Sequence, residues 1–325
     1  MAVPGVPTAV LVAPDAFKET FGAHQVADAI ERGLERAGIP VYLCPVADGG
    51  KGTLAVLAPA LGAEIRTAEV SDPLGRPIEA PFGIAGDTGI VETAAASGLH
   101  LVDERDRDPL RASTLGTGQL IAAAMEAGAN TVLVGVGGSA TTDGGAGAIR
   151  ALGHTDARLI VLCDVRTPFE DAARVYGPQK GATSDQVRAL ARRLRAQARR
   201  LPKDPRGVPM TGAAGGLAGG LWAALGAELL PGAVFVLDAL GFDARLRRAR
   251  AVVTGEGRLD EQSLAGKAIS EVAVRARQAG VPSHAIVGQL ELDAFGLRIL
   301  DLQAVLEART LEQIEAAGQR LAELL

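Results

Sequence analysis

Apolar positions follow two textures along the 325-residue chain. Towards both ends, short apolar runs alternate with stretches in which hydrophobic residues return every three or four positions. Val10 to Val12 make one such run, closed by Pro14-Asp15, and Val26, Ile30 and Leu34 then mark one face of a helix over Ala23 to Leu34. Val41 to Val46 form a second strand that stops at Asp48-Gly49-Gly50, and a short helix follows through Thr53 to Leu57. The alternation returns late in the chain, with strands at Ala251 to Thr254, His284 to Val287 and about Leu302 to Val305, and helices at Ala268 to Gln278 and Leu311 to Leu325. Two early and three late strands of βα type predict one discontinuous parallel domain of flavodoxin-like order.

Between these ends the pattern changes. Ile65 to Val70 and Ile78 to Ile84 alternate apolar and polar positions and are joined by the turn SDPLGRP, and Gly89 to Glu92 continues the apolar reading. A helix near Thr117 to Ala127, a strand at Leu159 to Leu162 and the Gly-rich segment TGAAGGLAGGLWAALGAEL complete the region. The expected fold is α/β with two domains: a discontinuous flavodoxin-like parallel-sheet domain over residues 1–64 and 241–325, and an inserted α/β domain over 65–240.

Composition narrows the function classes. With 38 acidic against 33 basic residues the formal net charge is −5, and one Trp, two Tyr and seven Phe leave few stacking platforms, so no nucleic-acid partner is expected. Arg188, Arg192, Arg193, Arg195, Arg199 and Arg200 do cluster, but Val187, Leu190, Leu194 and Leu201 recur through them at helical spacing, which predicts an amphipathic helix with a solvated basic face. Cys44 and Cys163 each adjoin a predicted strand and read as buried small hydrophobes. The opening MAVPGVPTAVLVAPD lacks a basic n-region and its apolar run is broken by prolines, so neither a membrane span nor a secretory leader is expected, and the cytoplasm is the expected compartment. A monomer or homodimer acting on small molecules fits this profile.

Candidate chemistry gathers in three places. Thr131 to Val134 run straight into Gly135, Gly137 and Gly138, then Ser139, Thr141, Thr142 and Asp143, then Gly144, Gly145 and Gly147. A strand that opens into glycines and hydroxyls around one carboxylate suits an anion cradle, with a glycine-rich packing loop as the competing account. Asp15, Asp48 and Glu256 each fall just past a predicted parallel strand, where open α/β sheets line their ligand crevice. Lys18, Lys180 and Lys267 lie in glycine-, hydroxyl- or proline-bearing contexts that suit a point charge for phosphate or carboxylate. The Gly266-Lys267 pair lacks the earlier glycine of a Walker A loop, the dinucleotide fingerprint at Gly135, Gly137 and Ala140 is interrupted by Asp143-Gly144-Gly145, and the four histidines have no ligand spacing. Abundant carboxylates without clustered His or Cys favour Mg²⁺.

Taken in order, APDAFKE (13–19), VADGGKGT (46–53), SDPLGRPIEA, ETAAASGLHLV, STLGTGQLI, GVGGSATTDGGAGAIRALG, CDV, YGPQKGAT, GAAGGL and TGEGRLDEQSLAGKA resemble the motifs of the bacterial type 1 glycerate kinase family along nearly the whole chain. The resemblance implies ATP:glycerate phosphotransfer with Mg²⁺, in a flavodoxin-like domain with an inserted α/β domain, and more often 2-phosphoglycerate than 3-phosphoglycerate as product. On that footing Gly137, Gly138, Ser139, Thr141, Gly255 and Gly257 are assigned to the nucleotide, with Lys18 on its phosphates. Asp48 or Glu256 is assigned to Mg²⁺, and Asp143 or Asp164 to the hydroxyl proton. Arg258, with Lys180 second, is assigned to the substrate carboxylate, and Asp15, Asp260 and Lys267 to the substrate. The chain departs from the family pattern at Lys51 (usually glutamate), Glu19 (usually glycine) and Thr142 (usually asparagine). It also departs in the short passage from Leu152 to Ile160, where the family carries some tens more residues, and in GQLELDAFGLRIL after Val287. Lys51 and the shortened middle motivate a second reading, a non-catalytic homologue that senses glycerate or a nucleotide.

Overall fold

The computed structural model describes residues 9–17, 20–264 and 266–325, and Lys18 lies outside them. Eleven strands are found among the described residues: β1 (Val10–Pro14), β2 (Val41–Leu43), β3 (Glu64–Ser71), β4 (Pro77–Ala85), β5 (Thr88–Glu92), β6 (Thr131–Gly135), β7 (Arg158–Cys163), β8 (Glu228–Pro231), β9 (Ala251–Glu256), β10 (Ser283–Val287) and β11 (Leu302–Glu307). They form a five-stranded sheet and a six-stranded sheet. The chain divides into two compact units, one of residues 1–48 with 233–325 and one of residues 49–232. The junctions expected from sequence were 64/65 and 240/241. The helix Thr53–Leu61 packs on β4 and β5 and therefore goes with the six-stranded sheet.

The first unit contains the parallel sheet β2-β1-β9-β10-β11. Counting only its own strands, the order is the flavodoxin-like one expected from the βα repeats. Its inner strands β1, β9 and β10 are buried along their whole length because helices cover both faces. On one face Val10, Val12, Val253 and Ile286 pack with Val26, Ile30 and Leu34 of the helix Ala23–Arg36 and with Ile314 and Leu321 of the helix Leu311–Leu321. Leu11, Ala13 and Val252 pack the other way, against Leu237, Phe242, Val272 and Ala276.

In the second unit β3, β4 and β5 are antiparallel neighbours, and β5 through β8 are parallel. The change follows from the connections: a tight turn can join antiparallel strands, whereas parallel ones need a crossover. The helix Leu115–Glu126 supplies the crossover from β5 to β6 and Ala146–Leu152 that from β6 to β7. The basic segment forms the helix Ser184–Ala198, started by a capping box in which Thr183 and Gln186 satisfy each other's backbone amides. Leu190 and Leu194 of the expected spacing are on its buried face with Ala198, Val187 is partly buried, and Leu201 falls past the helix end. Cys44 and Cys163 are both buried free thiols. Strand β8 was not expected: at four residues, directly after a helix, it has too little pattern to stand apart from the Gly-rich segment before it.

Candidate active site

In the second unit the loop after β6 carries the glycines, and their neighbours explain most of them. A Cβ on Gly137 would lie 2.5 Å from the Gly50 Cα, and one on Gly135 would lie 2.8 Å from the Gly49 carbonyl oxygen. The backbone of 49–50 thus rests directly on 135–137, which only glycine permits. Gly138 differs: it is exposed, has φ +73°, and nothing crowds it closely. The loop is pinned on one side by two backbone bonds, Leu99 N–H to the Gly138 carbonyl (2.9 Å) and Ala140 N–H to the Ser97 carbonyl (2.9 Å). On its other side Gly144 N–H donates to the Gly215 carbonyl (3.1 Å). Ala214, Gly215 and Gly216 there make one left-handed turn inside the helix Ala213–Leu225.

Asp143 is buried, and its carboxylate is saturated by its own unit. It accepts from the amides of Thr114 (3.0 Å), Gly145 (3.1 Å) and Gly147 (3.0 Å) and from the Thr114 hydroxyl (2.9 Å). Gly145 precedes the helix Ala146–Leu152 and Gly147 lies in its first turn, while Thr114 is the residue just before the helix Leu115–Glu126, so one side chain holds two helix starts. The composition of this loop therefore has a structural reason that the sequence did not reveal: the carboxylate is demanded by orphan helix amides.

Lys180 lies beneath the same loop. The turn Pro178–Lys180, closed by Gly181 at φ +89°, brings its ammonium against the Ser139 hydroxyl oxygen (3.1 Å) and the Thr141 carbonyl (2.5 Å). It is almost completely buried, and that burial lowers its pKa to about 7 against the opposing pull of Asp143 and Asp164. Burial and these two bonds make it part of the loop's support, in place of the open substrate ligand expected from sequence. The hydroxyls of Thr93, Thr141 and Thr142 are buried with no partner among the described residues.

Asp164 follows β7, half-buried, with one carboxylate oxygen 3.4 Å from the position of a Cβ on Gly137. Its charge also reaches Lys180 and Tyr176. Lys51 is exposed beside Gly138, and its charge reaches His100 and Glu92. Glu92 is a residue sequence reasoning missed. Buried at the end of β5, it accepts from the amides of Gly52 (3.0 Å) and Leu54 (2.6 Å), capping the helix Thr53–Leu61 from another strand. Burial raises its pKa, and those two amides and Lys51 act against the rise. The capping partner lies 40 residues away in sequence, beyond any local capping pattern.

In the first unit the sheet order reverses between β1 and β9, and Asp15 and Glu256 stand at the carboxyl ends of those two strands. Such a reversal is where open α/β sheets bind ligands. Asp15 accepts from the Ala16 amide (2.6 Å), and its own amide donates to the Gly255 carbonyl (2.8 Å). Glu256 and Asp48 are buried carboxylates. The Lys267 ammonium sits 3.5 Å from Glu256 and 3.9 Å from Asp260. Arg258 is largely exposed and forks onto Glu291 (2.8 and 2.5 Å), with Asp260 at 3.7 Å. A Cβ on Gly255 would lie 2.2 Å from the Ile286 carbonyl oxygen, so that glycine serves the packing of β9 on β10, while Gly257 follows β9 with its carbonyl against Gly288. The structure therefore distributes the expected residues over both units: Asp143, Asp164, Lys180 and the 137–141 loop in the second, Asp15, Asp48, Glu256, Arg258, Asp260 and Lys267 in the first.

No group of three or more His, Cys, Asp or Glu side chains suited to a metal occurs among the described residues. Mg²⁺ takes one or two protein carboxylates and completes its octahedron with phosphate oxygens and water. The buried oxygen donors of Asp48 and Glu256 fit such a role, with Lys267 already balancing part of the charge on Glu256. No helix among the described residues is long and apolar enough to cross a membrane.

Comparison with known proteins gives consistent matches. The glycerate kinase family model matches residues 10–157 and 154–325. The two matched segments meet at residues 154–157, just before β7, within the passage from Leu152 to Ile160 expected to be short. Similar proteins include a glycerate kinase from Halalkalibacterium halodurans (42% identity, covering 86% of this chain and 85% of that protein) and a glycerate 2-kinase from Escherichia coli (39% identity, 87% and 86%). Among solved structures, one described as glycerate kinase 2 from Salmonella typhimurium LT2 superposes with a TM-score of 0.81 at 34% identity over 98% of both chains.

Proposed function

We propose, from the premise that the chain belongs to the glycerate kinase family and is an enzyme transferring phosphoryl groups to glycerate, that it phosphorylates D-glycerate from ATP with Mg²⁺ to give 2-phosphoglycerate. The observation that carries the mechanistic reading is the division of labour around the 135–143 loop. Asp143 is consumed in holding the loop, while Asp164 stands over Gly137.

In this reading Gly137, Gly138, Ser139 and Thr141 bind the nucleotide's phosphates, the exposed left-handed Gly138 letting the backbone approach an anion closely. Asp164 takes the proton of the attacking glycerate hydroxyl. That oxygen bonds to the γ-phosphorus as the bond to the β–γ bridging oxygen breaks, and ADP leaves. Phosphoryl transfer asks mainly for positioning and charge neutralisation, so one base and an ordered anion loop suffice on the protein side. Mg²⁺ bound to the nucleotide would supply the further neutralisation, with Asp48 and Glu256 as its protein carboxylates. Arg258 serves the substrate carboxylate, and the remaining first-unit residues Asp15, Asp260 and Lys267 serve substrate binding. Lys18 completes the phosphate ligands, and the cytoplasm remains the proposed compartment. No observation favours the sensor alternative.

Single-turnover transfer from ATP labelled at the γ-phosphate, followed by phosphorus NMR of the product, tests this reading. Labelled 2-phosphoglycerate that disappears when chelator removes Mg²⁺ is the expected result. Binding of both ligands without transfer would instead support the sensor, and labelled 3-phosphoglycerate would overturn the regiochemistry alone.

A further inference from the structure

Lys180 is buried, and its ammonium is bound to the loop through Ser139 and Thr141. An ammonium has three hydrogens to donate and nothing with which to accept. Its bond to Ser139 therefore fixes the direction of that hydrogen bond: the Ser139 oxygen accepts, and the hydroxyl hydrogen is left to point elsewhere. The hydroxyl then has its hydrogen free for a further acceptor, and the strongest such acceptor is an anionic oxygen. The second bond, to the Thr141 carbonyl, holds the backbone two residues further along the same loop.

We infer that Lys180 is a positioning residue that makes Ser139 a dedicated hydrogen-bond donor towards an anionic oxygen of the bound nucleotide. This rests on the proposed kinase reading, which it deepens by naming what organises the phosphate loop. The arrangement carries its own switch. Once Lys180 loses its proton, its amine can accept, and the Ser139 hydrogen can turn inwards to it and away from the ligand. Burial sets that change near pH 7. The charges that act on the ammonium are the Asp143 and Asp164 carboxylates; Arg107 and Asp108 line the same cavity of about 10 Å³ as Lys180 and Ala140, and the Asp164 charge also reaches Tyr176.

The test is the dissociation constant of a non-hydrolysable ATP analogue at saturating Mg²⁺, by calorimetry from pH 6 to 9, for the wild-type protein, Lys180→Met, Ser139→Ala and the double variant. The nucleotide's own titration is common to all four and cancels in the ratios. At pH 6 each single variant is expected to bind about tenfold more weakly than wild type, and the double variant no more weakly than either. The wild-type advantage should fade as pH rises through 7. Additive losses, or a wild-type profile parallel to that of Lys180→Met, would overturn the inference. Should Lys180→Met fail to fold by circular dichroism, Ser139→Ala decides alone: it must lose the pH-dependent part of wild-type affinity, and its retention overturns the inference. Parallel turnover assays with glycerate separate the two levels. Wild-type protein that shows the coupling but no transfer sinks the kinase reading and leaves the nucleotide contact, transfer without coupling sinks the Lys180 role only, and absence of analogue binding sinks both.

Discussion

Two sets of charged residues in conspicuous motifs, one in each unit, are satisfied in different ways. In the second unit, Asp143 is held by three backbone amides and a buried hydroxyl, and Lys180 by a backbone carbonyl and a buried hydroxyl. In the first, Arg258, Glu291, Lys267, Glu256 and Asp260 are joined side chain to side chain, several of them partly exposed. Backbone partners are fixed by the fold and cannot be exchanged for a ligand without local unfolding. Side-chain ion pairs near water cost little to rearrange. A charged residue in a conspicuous motif thus reads as structural or functional according to what satisfies it.

The sharpest way to break this comparison is Asp143→Ala. It leaves two helix starts without their acceptor and should cost about 3–5 kcal/mol of stability, seen as a lower denaturant midpoint, with any loss of activity following the loss of folded protein. An unchanged midpoint with abolished turnover would return Asp143 to the chemistry. Next in size, Asp164→Asn should lower kcat by about 10²-fold or more at unchanged melting temperature, as removal of a general base does. If stability falls in step with kcat, Asp164 belongs with Asp143 among the structural carboxylates.

A pH experiment sharpens the comparison from the first unit's interior. His284 lies buried on β10, its Nδ1 has no partner among the described residues, and burial lowers its pKa. A depressed histidine pKa means the unfolded chain takes up the proton more readily than the folded one. The contribution to stability is therefore complete above the unfolded value and lost as pH falls through the folded one. Chemical denaturation between pH 7 and 5 should show wild type losing more stability than His284→Gln, and equal losses would remove the histidine from the acid response.

Smaller effects are expected where pairs are exposed. Arg258→Ala should raise the KM for glycerate while hardly moving the melting temperature, since its guanidinium is largely in water. An unchanged KM would leave Arg258 as a partner of Glu291 only. Smallest of all, Lys51→Glu at the exposed entry to the helix Thr53–Leu61 should change stability by only ~0.3–1 kcal/mol through the helix dipole. It should also leave the Mg²⁺ activation constant alone; a tighter constant would assign position 51 to the metal site.

Local pattern determined much of this protein. The βα repeats at the two ends predicted the parallel sheet and its strand order, because each unit of about 30 residues buries an apolar strand under an amphipathic helix. The same periodicity identified the basic segment as a helix, and the ordered motifs identified the family. What only the tertiary structure decided was the partner of each polar group. Thr114 approaches Asp143 across 29 positions, Glu92 reaches Gly52 across 40, and Lys180 reaches Ser139 across 41. A hydrogen bond is a matter of a few tenths of an ångström, and no spacing rule carries that information across a crossover connection. The glycines of the cradle were legible as backbone freedom, but whether a ligand or the 49–50 backbone used it depended on which segments the topology of the second unit brought together.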